Sequence, residues 1–177
     1  MIKIYLDGPS PEQAARYCSD LTIGGVTTNP SLLAKIGVSD YKAFACELLD
    51  AHPGLEISFE VLADDLDLML QQAIILSGWG SNVVVKIPVT NSRGVCTAPV
   101  VSELSRTGVT VNLTAITNIS QLDQFDSQVF GDTSAIVSIF CGRIMDLRID
   151  PRDIFNSIKT HFKQSENARY LWASTRE

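Results

Sequence analysis

Seven short β-rich runs recur along the chain at intervals of about 20 to 34 residues, with helical patterns filling the gaps between them. The runs are "KIYLD" (3–7), "IGGVTT" (23–28), "LEISFEV" (55–61), "NVVVKIPV" (82–89), "VTVNLTA" (109–115), "AIVSIFC" (135–141) and "ARYLWAS" (168–174). Ser10-Pro11 followed by Gln13 supplies an N-cap, a first-turn proline and a capping box, and Asp150-Pro151 opens "RDIFNSIKTHFKQ" with the same cap and proline. "SDYKAFACELLDAH" and "DDLDLMLQQAIILSG" carry apolar residues at three- and four-residue spacing. A strand–helix unit repeated in this way builds a parallel sheet with its helices outside, either doubly wound or closed into a barrel.

The polar residues choose between the two. Nearly every run carries one in or just after its C-terminal half: Asp7, Thr27 with Asn29, Glu60, Lys86, Asn112 with Thr114, Ser138 and Ser174. An open sheet gathers ligands at one switch point from few strands, whereas side chains from seven successive strands converge only at the mouth of a ring. "LDGPSPEQ" is no dinucleotide-binding turn, and no Walker loop occurs. The expected fold is therefore an α/β barrel of the (β/α)8 TIM type, one domain over residues 1–177, with seven strands seen and the last βα unit lacking. A barrel left open in this way has two bare sheet edges, which favours association between copies into a homo-oligomer.

Composition excludes several classes of function. A 177-residue chain with 45% hydrophobic and 19% charged residues has enough apolar material for a core. No apolar run approaches the roughly 20 residues that span a bilayer, and "MIKIYLDGPS" lacks the layout of a signal peptide, so no membrane partner is expected and the cytoplasm is the expected compartment. Cys18, Cys46, Cys96 and Cys141 form no CxxC pair, which fits free thiols rather than a metal site. The net charge of −6 argues against nucleic acid as a partner. An anionic ligand must then be caught by a few placed arginines.

The residue that asks for a chemical explanation is Lys86, in "VVVKIPVT". A lone lysine in a strand commonly snorkels its charge to the surface. Here Pro88 cannot donate to a sheet ladder and so marks the strand end, which sets Lys86 at the rim, and alternation puts Lys86 on the same face as Val84. An amine in such a pocket, kept partly neutral by desolvation, is the nucleophile of Schiff-base enzymes that act on carbonyl compounds. Asp7 and Glu60 are the two carboxylates at strand ends. Each alone has a structural explanation, as a turn cap or a lysine partner, but with Lys86 they form the set that acid–base aldol chemistry requires. Arg143 and Arg176 each follow a strand where loops face the mouth, and Ser174 could add a hydroxyl donor to a phosphate held there. Trp79, Trp172 and Met69 are read as packing.

With Lys86, "GVTTNPSLLAK" and "ASTR" in view, the chain resembles the transaldolase family, including its short members related to fructose-6-phosphate aldolase. "IYLDG" is similar to the family's first-strand motif, "GGVTTNPSLL" to its second-strand signature, "VVVKIPVT" to the segment bearing the Schiff-base lysine, "VNLTAITNISQ" to the fifth-strand segment, "SIFCGRIMD" to the sixth and "LWASTR" to the seventh. The resemblance implies Lys86 as the imine-forming lysine, Asp7 as the acid/base of the aldol step, and Glu60 with Thr114 as holders of a proton-shuttling water. It implies that Thr27, Asn29, Asn112 and Ser138 bind substrate and that Arg143, Ser174 and Arg176 hold phosphate. It further implies sugar-phosphate substrates of the pentose phosphate pathway and neither a metal nor an organic cofactor. Glutamate at position 60 resembles true transaldolases, where the aldolase branch has glutamine, so transfer of a dihydroxyacetone unit is favoured over its release. If the absent last unit removes turnover, a sugar-phosphate-binding or assembly role is the alternative. Gly8 departs from the family, which often has Ser or Thr after the aspartate.

Overall fold

The computed structural model describes residues 2–19 and 22–174. Its helices start where side chains can satisfy the first free N–H groups. Ser10 and Gln13 form a reciprocal capping box on α1 (Pro11–Tyr17). Asn29 caps α2 (Pro30–Lys35), Asp40 caps α3 (Tyr41–Ala51), Asp65 caps α4 (Leu66–Ser77) and Asp150 caps α7 (Pro151–His161). The other helices are α5 (Ala98–Arg106) and α6 (Cys141–Asp146), neither of which has a side-chain cap.

Between these helices lie β1 (Ile4–Asp7), β2 (Ile23–Thr27), β3 (Glu56–Glu60), β4 (Val83–Pro88), β5 (Val111–Ile116), β6 (Ala135–Ile139) and β7 (Ala168–Trp172). They form one seven-stranded sheet in chain order, and every neighbouring pair is parallel. Strand alternation sorts the side chains. Val26, Ile57, Phe59, Val85, Ile87, Leu113 and Val137 are fully buried in the core that also takes up Met69, Leu76, Leu104 and Ile158 from the helices. The alternate positions, from Tyr5 through Ser58, Lys86 and Asn112 to Ser138 and Arg169, turn to the concave side.

A contact across that concave side fixes the curl. Arg169 of β7 makes a two-pronged ion pair with Glu56 of β3, Nη1 to Oε2 at 2.6 Å and Nη2 to Oε1 at 2.8 Å. In a flat sheet these strands, four places apart, would lie roughly 19 Å from one another. Tyr5 of β1 donates to the same carboxylate at 2.8 Å. Gly25 makes room for the Tyr5 ring, since a Cβ there would sit 2.6 Å from Tyr5 Cε1 and 2.5 Å from the Glu56 carbonyl oxygen. The fold is a curled βα sheet of the (β/α)8 barrel type, with β1 and β7 as the two ends of the strand order. Among the described residues no helix is long and apolar enough to cross a membrane.

The Glu56–Arg169 pair has a checkable cost. Burial pushes the Glu56 carboxyl up, but the hydrogen bonds from Arg169 and Tyr5 bring it net below the ordinary carboxylate range. A depressed carboxyl stabilises the fold above its unfolded pKa, and that contribution is lost as pH falls through the folded value. Glu56→Gln should lower stability at neutral pH by about 1 kcal/mol, the pair being partly exposed. The gap between the melting curves of wild type and variant should close in acid. Equal melting temperatures at neutral pH would show that the pair does not hold the curl.

Candidate active site

Lys86 is 4% exposed although it carries an ammonium. In β4 its neighbours Val85 and Ile87 face the helices, so Lys86 faces inward, two residues before the strand ends at Pro88. Nζ donates to the main-chain carbonyl of Thr28 at 3.0 Å and pairs with Glu60 Oε2 at 3.2 Å. Parallel register makes this meeting possible, because Glu60, Lys86 and Asn112 stand side by side on β3, β4 and β5. Burial raises the Glu60 carboxyl above its ordinary range; Lys86 opposes the shift and Asp7 adds to it.

Asp7, the last residue of β1, accepts from the Thr27 hydroxyl at 2.9 Å. The chain turns away at once: Gly8 has φ +57, and a Cβ there would meet Leu32 Cδ1 at 2.5 Å. The departure from Ser or Thr at this position therefore has a local cause, a left-handed backbone pressed against α2.

Above these groups opens a cavity of two lobes, of about 520 Å³ and about 220 Å³. Asp7, Lys86, Phe140 and Ser174 border both. Asn29, Glu60 and Arg143 line the larger lobe, and Thr27, Thr114 and Ser138 the smaller. Asn29 already spends its Oδ1 on the α2 cap, accepting from Leu32 N–H at 3.0 Å. Arg143 is exposed, without an ion-pair or hydrogen-bond partner among the described residues. Ser174 is brought to α6 by the Gly142 N–H, which donates to the Ala173 carbonyl at 3.2 Å. Arg176 falls outside the described residues.

Two expected site residues take an unforeseen setting. Asn112 is fully buried beneath the cavity and does not reach its wall. Its Nδ2 donates to Ser58 Oγ at 3.1 Å and its Oδ1 accepts from Ser138 Oγ at 2.7 Å. Thr114 keeps a buried hydroxyl with no hydrogen-bond partner among the described residues. The following Ala115, at φ 63, interrupts the β5–β6 register and borders the larger lobe. A bulge of this kind re-aims a side chain beside a site, at a strain of about 1–2 kcal/mol for a residue with a Cβ.

Other wall residues escaped the sequence reading. Tyr5 and Phe140 border the cavity, and only strand alternation or adjacency to a strand end could have signalled them. Trp172 stacks on Phe155 with centroids 5.5 Å apart, as packing requires, yet it is 46% exposed and borders the smaller lobe. Trp79 and Met69 pack, the former against Tyr41 and Phe59. Among the described residues no group of three or more His, Cys, Asp or Glu side chains gathers to hold a metal ion.

Comparison with known proteins is consistent with this geometry. The family described as Transaldolase/Fructose-6-phosphate aldolase matches residues 4–177. A probable transaldolase of Dehalococcoides mccartyi is 34% identical over 165 residues, 92% of this chain and 72% of that protein. A probable transaldolase of a Roseiflexus species is 35% identical over 164 residues, covering 92% and 71%. Probable transaldolase 2 of Listeria monocytogenes is 30% identical over 160 residues, covering 89% and 68%.

The setting of Glu60 has a measurable consequence of opposite sign to that of Glu56. A raised carboxyl contributes stability that is complete below the unfolded pKa and is lost as pH rises through the folded one. Wild type should therefore lose stability relative to Glu60→Gln as pH climbs above the ordinary glutamate range, as read from thermal melts at stepped pH. Parallel curves would mean that burial does not govern this carboxyl.

Proposed function

Because the chain belongs to the transaldolase/fructose-6-phosphate aldolase family, we propose that it transfers a dihydroxyacetone unit between sugar phosphates through a Schiff base on Lys86. The observation that carries this reading is the buried Lys86 amine, 3.2 Å from Glu60, opening onto a cavity that Asp7 also borders.

The chemistry follows from the groups present. The free amine of Lys86 adds to the ketone carbon of the donor, and the carbinolamine loses water to give an imine, which becomes the electron sink on protonation. Asp7, steadied by Thr27, takes the proton from the hydroxyl on the far carbon of the bond that breaks, and that carbon becomes the aldehyde. The aldehyde leaves, and the enamine retained on Lys86 attacks an acceptor aldehyde as Asp7 returns the proton. Glu60 and the unpartnered Thr114 hydroxyl hold the water consumed and released in these steps. Asn29 and Ser138 meet substrate hydroxyls, with Asn112 fixing Ser138 from below. Arg143 and Ser174, joined by Arg176, take the phosphate, since a bare guanidinium at the rim suits a dianion in a chain of net charge −6. The lysine supplies the electron sink, so the reaction calls for no metal or organic cofactor. Glutamate rather than glutamine at position 60 favours transfer over release. Four free thiols, Cys18, Cys46, Cys96 and Cys141, suit a reducing cytoplasm.

Borohydride reduction in the presence of fructose 6-phosphate should leave a covalent adduct that mass mapping assigns to Lys86, and Lys86→Ala should reduce labelling to background. An unlabelled wild-type chain overturns the proposal, and a melting shift with the same sugar phosphate and no adduct would mark a binding protein instead. Product analysis with and without an acceptor aldehyde then separates the two enzyme activities: transfer yields a new ketose, whereas direct cleavage yields dihydroxyacetone regardless of acceptor.

A further inference from the structure

The Lys86 amine has two acceptors, held by different means. Glu60 is a side chain, free to turn about its own bonds. The other acceptor is the main-chain carbonyl of Thr28, one residue past the end of β2. Thr28 is fully buried, and its N–H and its hydroxyl both donate to the Ser58 carbonyl, at 2.9 and 2.8 Å. Those bonds anchor Thr28 on its N-terminal side; its carbonyl belongs to the next peptide, whose far end is anchored where Asn29 caps α2, with Oδ1 accepting from Leu32 N–H at 3.0 Å and the Asn29 carbonyl from Leu33 N–H at 3.1 Å. Held from both sides, this carbonyl has little freedom to turn from the amine. Behind it stands Tyr41, the first residue of α3. Its phenol donates to the Glu60 carbonyl at 3.0 Å. Its ring is wedged edge-on against Phe59 and Trp79, with centroids 6.0 and 5.4 Å away. The phenol thus steadies the end of β3, which carries Glu60.

On the reading that Lys86 forms an imine, we propose that the Thr28 carbonyl is the acceptor that retains the N–H of the protonated imine, with the Thr28 hydroxyl as the positioning group that holds it there. The stoichiometry requires a choice between the two acceptors. As nitrogen bonds the ketone carbon, the carbonyl oxygen leaves as water together with both hydrogens of the neutral amine. A proton taken up by nitrogen then gives an iminium with one N–H, where the ammonium had three. One hydrogen cannot serve both Thr28 and Glu60. A dipole fixed in advance stabilises the developing charge without reorganisation, which favours the Thr28 carbonyl and releases Glu60 to hold water.

The proposal is tested by trapping the donor imine with cyanoborohydride across the pH range in which the chain stays folded, in wild type, Thr28→Val, Thr28→Ser and Tyr41→Phe. The titratable and charged groups facing Lys86 are Asp7 and Tyr5 of β1, Glu60 of β3 and Arg143 of α6, and every variant keeps all of them. A loosened acceptor makes the iminium a stronger acid. The alkaline limb of the profile should therefore move to lower pH in Thr28→Val and stay in place in Tyr41→Phe, which leaves both Thr28–Ser58 bonds intact. In Thr28→Val, trapping on that limb should fall about three- to tenfold, the value of one hydrogen bond, at an unchanged half-saturating donor concentration. Thr28→Ser, which keeps the hydroxyl, should follow wild type. A Thr28→Val profile that superimposes on wild type while its melting temperature falls would make the Thr28 hydroxyl merely structural and overturn the proposal. If Thr28→Val does not fold, Thr28→Ala, which also lacks the hydroxyl, decides in its place. Wild type that traps nothing overturns the imine reading itself, a separate failure.

Discussion

The upper half of this sheet depends on how one buried ammonium is satisfied. Left bare, the charge of Lys86 would cost several kcal/mol, so its two acceptors are conditions of folding as well as parts of a site. They come from the ends of β2 and β3, while the lysine comes from β4. That requirement pins the register of three strands. A slip of one residue would turn Lys86 toward Leu76 and Leu104 in the outer core and bring Val85 or Ile87 to the cavity floor. At the other end of the concave side, Glu56, Arg169 and Tyr5 tie β3, β7 and β1 together. Polar contacts at both ends thus shape the curl, and apolar packing against the helices holds it.

Much of this could be read from the sequence because it is written in local chemistry. The seven strands follow from runs of β-branched residues, and the starts of α1 and α7 from side chains that sit where a cap is needed. The shorter helices α2 and α6 span fewer than two turns, too few for periodicity to register, and α5 has no side-chain cap to announce it. Lys86, Asp7 and Glu60 were legible as a set because strand ends in a ring must converge. The height of Asn112 below the floor was not, since alternation tells which face a side chain takes and nothing about depth. Thr28 acts through a carbonyl that any residue possesses, so no residue type could signal it. Ala115 is an ordinary alanine until the bulge in β5 gives it a positive φ.

The charges in the cavity are unevenly settled. Lys86 and Glu60 answer one another, and Asp7 is held by Thr27, whereas Arg143 stands exposed at the rim without a partner among the described residues. An acidic chain repels an anion at long range, and only within the last few ångströms does a single guanidinium outweigh that averaged field.

The clamped amide of Asn112 carries a last consequence. Its nitrogen donates to Ser58 and its oxygen accepts from Ser138, so the one proton of the Ser138 hydroxyl is spent on that oxygen. What Ser138 turns to the cavity is lone pairs alone. That point on the wall is defined by polarity rather than by size: its lone pairs complement an atom that carries a hydrogen and repel one that offers only electron pairs.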